Sequence, residues 1–290
     1  MRYPVWVVLA LLLVACGAPT ASGPAASATP PRGLLAVVAS SDLAVGPNHF
    51  ALGLLDAQNQ PLANVPVYLS FYDLAGREPA LVAQTEATWR QPLSEWNRGV
   101  YKATVVFDHP GPYGVEAAVV QADGAQQTAR ARFEVKPQPA APGVGAAAPR
   151  SHNLTNRDQV DPIELCTGTP EVCAATRDLR ELTIAEALDQ GKPLVVVFAT
   201  PGFCTSQTCG PQLEIVHGLA RRYGARANFI HVEIFKDPAA RTPNATVQEW
   251  GLPSEPWVFV IDRTGHIVDR FEGITTGEEI EQALLPTLGS

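Results

Sequence analysis

Residues 193–211 read Pro-Leu-Val-Val-Val-Phe-Ala-Thr-Pro-Gly-Phe-Cys-Thr-Ser-Gln-Thr-Cys-Gly-Pro. The apolar, β-branched run 194–199, bounded by Pro193 and by Pro201-Gly202, is the pattern of a short strand buried on both faces. Past the two cysteines, Leu213, Val216, Leu219 and Ala220 recur at helical spacing with Gln212, Glu214, Arg221 and Arg222 opposite, so a helix is expected to begin just beyond Cys209. A strand, a turn with two cysteines and a helix start make a redox arrangement. The unpaired N–H groups and positive dipole end of the helix favour a thiolate over a thiol, and the thiolate is the nucleophile. Cys204 is thereby placed to react.

The spacing of the pair sets a geometric problem. Cα atoms three residues apart in a regular helix are ~5 Å apart, within disulfide range, but five apart they are ~8–9 Å apart, outside it. Cys204 and Cys209 therefore cannot both sit in one regular helix and bond. Proline suits the first helical position, so Pro211 suggests a helix starting near Gly210-Pro211 that leaves 204–209 as a loop able to close. The expectation is a disulfide in an irregular loop or one formed by local unwinding.

The segment Lys192 to Pro201, followed by Phe203-Cys204, resembles the strand and active-site entry of secreted thioredoxins of the TlpA type, within the thioredoxin-like superfamily. Downstream, Glu255-Pro256-Trp257-Val258-Phe259-Val260-Ile261-Asp262-Arg263-Thr264-Gly265-His266-Ile267-Val268 is similar to that family's cis-proline turn, strand, Asp-x-x-Gly hairpin and next strand. The resemblance spans roughly residues 178–288. It implies that Pro256 is the cis-proline facing the cysteine pair, and that Cys204, Cys209 and Pro256 form the catalytic set. Two departures stand out: Phe203 occupies a position usually held by tryptophan, and four residues rather than two separate the cysteines. The four-residue gap and Thr200-Pro201-Gly202 also resemble the bacterioferritin-comigratory type of peroxiredoxin, although Phe203 adds a residue between Thr200 and Cys204. A thiol peroxidase is accordingly the alternative enzyme reading, and a redox-inert binding module with a Cys204-Cys209 staple the alternative of another class.

The front of the chain indicates compartment. Arg2 followed by an apolar run over 5–15 has the shape of a signal peptide and is too short for an ordinary membrane span. Leu13-Val14-Ala15-Cys16 resembles the bacterial lipobox, which implies cleavage before Cys16 and its diacylation. On this reading residues 1–15 are the signal peptide and 16–32 a flexible tether of small residues and proline. The folded part is expected outside the cytoplasm, lipid-anchored to a bacterial cell membrane. The net charge of −8 and the lack of a long basic run argue against a nucleic-acid partner.

Removing Cys16 leaves Cys166, Cys173, Cys204 and Cys209, an even number for an oxidising compartment. The simplest pairing is Cys204 with Cys209 and Cys166 with Cys173, the second as a structural disulfide. The usual two-residue zinc-ligand spacings are missing, and no metal or cofactor is expected.

The length leaves room for two domains. Residues 33–136 carry seven β-type runs at 34–39, 49–56, 65–72, 81–88, 100–107, 114–120 and 129–135, separated by turn signals such as Asp123-Gly124. This is the pattern of an immunoglobulin-like β-sandwich. Residues 99–103 and 114–117 resemble the paired late strands of small extracytoplasmic domains of the FixH and YtkA type. Trp89, Trp96 and Tyr101 are read as packing residues, and His49 and His109 as ordinary turn or strand-end residues. The alanine- and proline-rich segment 137–150 reads as a linker, and 151–290 as the α/β thioredoxin-like domain, with 151–173 an irregular lead-in.

Within 151–290, Thr183-Ile184-Ala185-Glu186 is a capping box. A strand is expected at 228–235, a helical turn at 247–250, a hairpin around 263–265 and a closing helix at 276–285. Glu233 reads as a solvent-facing strand residue, with a buried acid as the alternative. Glu255 is a further candidate for shaping the substrate groove, whereas His217, His231 and His266 lack the convergence a metal site needs. The expected activity is thiol–disulfide exchange with protein substrates and an unidentified redox partner.

Overall fold

The computed structural model describes residues 33–93, 98–120 and 126–289. The proposed signal peptide, Cys16, the tether, Trp96 and the Asp123-Gly124 turn lie outside the described residues.

All seven expected runs of the N-terminal half are strands: β1 (Leu35–Val38), β2 (Gly46–Leu55), β3 (Val67–Asp73), β4 (Ala80–Arg90), β5 (Val100–Phe107), β6 (Gly111–Val120) and β7 (Gln126–Val135). They form one antiparallel sheet in the order β1-β2-β5-β4-β3-β6-β7. β4 joins its two halves, pairing residues 80–87 with β3 and 88–90 with β5. The order is that of an immunoglobulin-like sandwich whose two sheets share one strand, and β1 lies against β7, so the sheet is nearly closed. Alternation along the strands sends Phe50, Leu69, Phe71, Tyr101, Phe107 and Tyr113 into one core. Tyr101 is fully buried, its hydroxyl accepting the Val65 N–H at 3.1 Å, and Trp89 packs on its ring at 5.1 Å.

The C-terminal half opens with a short helix α1 (Pro170–Ala175) and α2 (Ile184–Asp189), the latter started by the Thr183/Glu186 capping box. Its sheet has the order β13-β12-β8-β9, from β8 (Leu194–Phe198), β9 (Asn228–Val232), β12 (Trp257–Ile261) and β13 (Ile267–Glu272). β8 and β9 are parallel and are connected through α3 (Cys209–Tyr223); β12 runs antiparallel to β8, and β13 to β12. A small hairpin of β10 (Phe235–Asp237) and β11 (Thr242–Pro243), then α4 (Ala245–Glu249), fills the connection to β12, and α5 (Gly277–Leu284) closes the chain. This is a thioredoxin-like α/β layer arrangement.

The buried run of β8 works by alternation. Leu194, Val196 and Phe198 face α2, Trp250 and Phe259, whereas Val195, Val197 and Ala199 face Leu213 and Val216 of α3 and Ile280 of α5. Burying a side chain of this size contributes about 1.5–3 kcal/mol, and five consecutive buried positions make β8 the centre of the domain.

Residues 137–150 differ from the expected linker. Ala141 and Ala148 are buried in the α2-side core, Ala148 N–H donates to Gly265 at 2.9 Å, and Ile267 N–H donates to Ala146 at 2.9 Å. Small side chains that cannot build a core of their own let this backbone lie flat against β13. The chain from Arg32 onward packs as one unit. Asp42, fully buried, ties its parts together: it takes Lys136 at 3.0 Å, Arg270 at 2.8 Å and the N–H groups of Ala140 and Ala141. Burial opposes its ionisation, but these donors outweigh it and hold the carboxyl below its usual range.

Candidate active site

At the end of β8 the chain turns through buried Thr200, with Phe203 N–H on the Thr200 carbonyl at 3.2 Å. Residues 204–208 then form a loop, closed by Gln207 N–H on the Cys204 carbonyl at 3.2 Å, in which Gln207 takes a left-handed φ of 62°. This turn resolves the spacing problem: Cys204 stays outside the helix, Cys209 is its first residue, and the disulfide between them spans 5.9 Å Cα to Cα. The helix starts one residue before the expected Gly210-Pro211.

The two cysteines are unlike. Cys209 is fully buried, whereas Cys204 is only half-buried beside exposed Phe203. Cys209 N–H, at the start of α3, points at the Cys204 sulfur at 3.2 Å, and the Ser206 hydroxyl lies 3.3 Å from it. A helix N–H and a hydroxyl around an accessible sulfur are the surroundings that favour a thiolate.

The Glu255–Pro256 peptide is cis. Glu255 accepts the Thr205 N–H at 3.4 Å, which sets the proline turn against the cysteine loop. Arg241, in the β10–β11 hairpin, reaches both Glu255 and the cysteine loop.

Beneath the loop lies the second disulfide, Cys166–Cys173, spanning 5.8 Å Cα to Cα, with Cys173 inside α1 rather than in an irregular lead-in. Thr167, next to Cys166, donates its N–H and hydroxyl to Glu233 at 2.9 and 3.0 Å, and its hydroxyl oxygen accepts the Gly202 N–H at 3.0 Å. Glu233 is therefore not a solvent-facing strand residue. β9 ends at Val232, and the loop after Cys166 folds over the Glu233 carboxylate, leaving it 3% exposed. Burial raises its pKa against the donors from Thr200, Thr167 and Ile234. Gly202 has no room for a side chain, because a Cβ there would stand 2.1 Å from the Thr167 carbonyl oxygen.

On the Cys173 side, buried Arg180 donates to the Cys173 carbonyl and to His231 Nδ1, and His231 Nε2 donates to the Ala199 carbonyl at 3.0 Å. Burial first, then the Arg180 charge, push His231 down to about 3, so it is neutral. Both ends of the Cys166–Cys173 hairpin thus grip the stretch 199–202 that leads into Cys204.

The other histidines stay apart: His217 faces Asp178 at 3.5 Å and His266 faces the Thr264 hydroxyl. Among the described residues, no three His, Cys, Asp or Glu side chains converge as metal ligands. Sequence reasoning missed two contributions from the sandwich. His49 pairs with Asp269 at 2.9 Å and stacks on Phe271, and Arg98 donates to Gln207 of the cysteine loop at 2.8 Å. Leu93 also lines a groove of about 890 Å³ with Gly168, Val172, Gly202 and Pro211.

Residues 181–286 match the family described as thioredoxin-like domain. No curated protein matches the chain. Among solved structures, it is similar to one described as thiol:disulfide interchange protein DsbE from Chlorobium tepidum, at 19% identity over 34% of this chain and 82% of that one, with a TM-score of 0.29. A thioredoxin family thiol:disulfide interchange protein from Chlorobium tepidum TLS shows 15% identity over 34% and 81%, also at 0.29. The PmoD soluble domain from Methylocystis sp. ATCC 49242 (Rockwell) shows 17% identity over 32% and 74%, at 0.23.

Proposed function

We propose that the thioredoxin-like domain at residues 181–286 makes this chain a thiol–disulfide oxidoreductase of protein substrates, working outside the cytoplasm on a lipid anchor at Cys16. The observation that carries the reaction is the inequality of the pair: a half-buried Cys204 with a helix N–H on its sulfur, and a fully buried Cys209 behind it.

In the reducing direction the Cys204 thiolate attacks one sulfur of a substrate disulfide, forming a mixed disulfide and expelling the other substrate sulfur as a thiolate, which takes a proton. Cys209, deprotonated, then attacks the Cys204 sulfur; the Cys204–Cys209 bond forms and the second substrate thiol leaves. Two electrons pass from the pair to the substrate, and the opposite direction runs the same steps in reverse. Pro256 and Glu255 border the surface where the substrate chain approaches.

The extracytoplasmic setting rests on the signal-like residues 1–15, the lipobox-like 13–16 and two disulfides in one domain. Cys204→Ser is expected to abolish exchange with the fold retained, and Cys209→Ser to accumulate the mixed disulfide. Normal turnover by Cys204→Ser would refute the mechanism. Release of Cys16-containing peptide without a lipid mass would refute the anchor.

A further inference from the structure

Phe203 and Thr205, the residues on either side of Cys204, are held by one side chain. Arg241 Nη1 donates to the Phe203 carbonyl at 3.1 Å, and Nη2 donates to the Thr205 hydroxyl at 3.0 Å and to Glu255 at 3.2 Å. The guanidinium lies 4.8 Å over the Phe235 ring, and Arg241 itself holds a left-handed φ of 52° at the tip of the β10–β11 hairpin. A non-glycine residue in that conformation is uncommon.

We propose that Arg241 is a positioning residue for Cys204: it fixes both neighbours of the nucleophile and lays a permanent positive charge beside it, with Glu255 as the partly opposing negative charge. This rests on the reading of Cys204 as the nucleophile of thiol–disulfide exchange.

The physical case has two parts. When the Cys204–Cys209 bond opens, the loop 204–208 loses its covalent closure, and the Arg241 fork is the tie that holds both neighbours of Cys204 at once, beside the Gln207 turn, so that the sulfur stays before the Cys209 N–H. The fork suits the task because guanidinium presents several donors in one rigid plane, so a carbonyl and a hydroxyl are bridged at once. A fixed cation near a sulfur also favours its thiolate. Glu255, 15% exposed in its side chain and sharing Thr205 with Arg241, acts in the other sense electrostatically while helping to hold the loop.

The test is the pH dependence of Cys204 alkylation by iodoacetamide in the reduced full-length protein, read by fragmentation of the peptide that carries both Cys204 and buried Cys209, which assigns the label to one sulfur or the other. Arg241→Ala is expected to raise the pH midpoint by about one unit and to slow alkylation at pH 7 several-fold. Arg241→Lys, which keeps the charge but not the fork, is expected to restore more than half of that shift. Glu255→Gln is expected to lower the midpoint. An unchanged midpoint in Arg241→Ala, or an upward one in Glu255→Gln, overturns the proposal. Should Arg241→Ala fail to fold, the ordering of the lysine and glutamine variants about the parent decides it. Iodoacetamide needs no physiological substrate, so a wrong ordering leaves the oxidoreductase reading intact, and absent exchange with the right ordering strikes only that reading.

Discussion

The carboxylate of Glu233 receives both the N–H and the hydroxyl of Thr167, at 2.9 and 3.0 Å, across sixty-six positions of sequence. Because burial raises the Glu233 pKa, the folded state holds this proton more tightly than the unfolded chain. The associated stability is fully present below the ordinary carboxyl pKa and is lost as pH rises through the raised value. Between pH 4 and 7 the urea midpoint of the parent is expected to fall relative to Glu233→Gln. Parallel curves would show that the carboxyl titrates normally.

His231 works in the opposite sense. Its folded pKa of about 3 lies below the unfolded 6.5, so the unfolded chain binds the extra proton in between. Stability is complete above about pH 6.5 and declines as pH falls toward 3. His231→Gln, which can still donate to Ala199 and accept from Arg180, should remove most of this acid sensitivity, as measured by urea unfolding at pH 7 and pH 4.

The Cys166–Cys173 disulfide anchors both grips on residues 199–202. Replacing both cysteines by serine is expected to cost about 2–3 kcal/mol from the short loop it closes. It should also loosen the Gly202 turn, seen as faster amide exchange at Gly202 and Phe203. Full protection there in the variant would mean that Thr167 and Arg180 hold the turn without the bond.

Lys102 of the sandwich meets Glu279 of α5 at 3.1 Å, with side-chain exposures of 9% and 16%. Burial lowers the Lys102 pKa. Burial also opposes ionisation of Glu279, but the Lys102 charge and the Thr276 donors outweigh it and the net shift is downward. Lys102→Met leaves a buried carboxylate without its countercharge and is expected to destabilise by about 3–5 kcal/mol, whereas adding Glu279→Leu should recover part of the loss, less the capping-box contacts that Glu279 makes with Thr276. Chemical denaturation of the two variants measures both.

What was legible in the residues was local. The run 194–198 announces a doubly covered strand because every position is apolar, and Thr183 and Glu186 announce a helix start because a capping box needs only four residues. Helix geometry and Pro211 together point to a loop before the helix, with local unwinding as the alternative, and the structure takes the loop, ending at Cys209 as the first helical residue. The solvent-facing expectation for Glu233 fails because its strand alternates like a half-exposed one, whereas the cover arrives from Thr167, far away in sequence. Residues 137–150 have the composition of a tether, yet alanine and glycine also suit a backbone pressed onto β13, and composition does not distinguish the two. Arg98 and Arg241 carried no signal, since a long side chain on a loop shows nothing of its target until the fold brings Gln207 and Thr205 within reach.

The central claim is that the Cys204–Cys209 bond is exchanged rather than permanent. Its most direct test is the reduction potential of the pair in the full-length protein, equilibrated in glutathione and dithiothreitol buffers and read by differential alkylation and peptide mass. A value within about −120 to −270 mV is the predicted result and sets the direction of exchange. A bond that stays oxidised well below about −300 mV would be a structural staple and would contradict the claim.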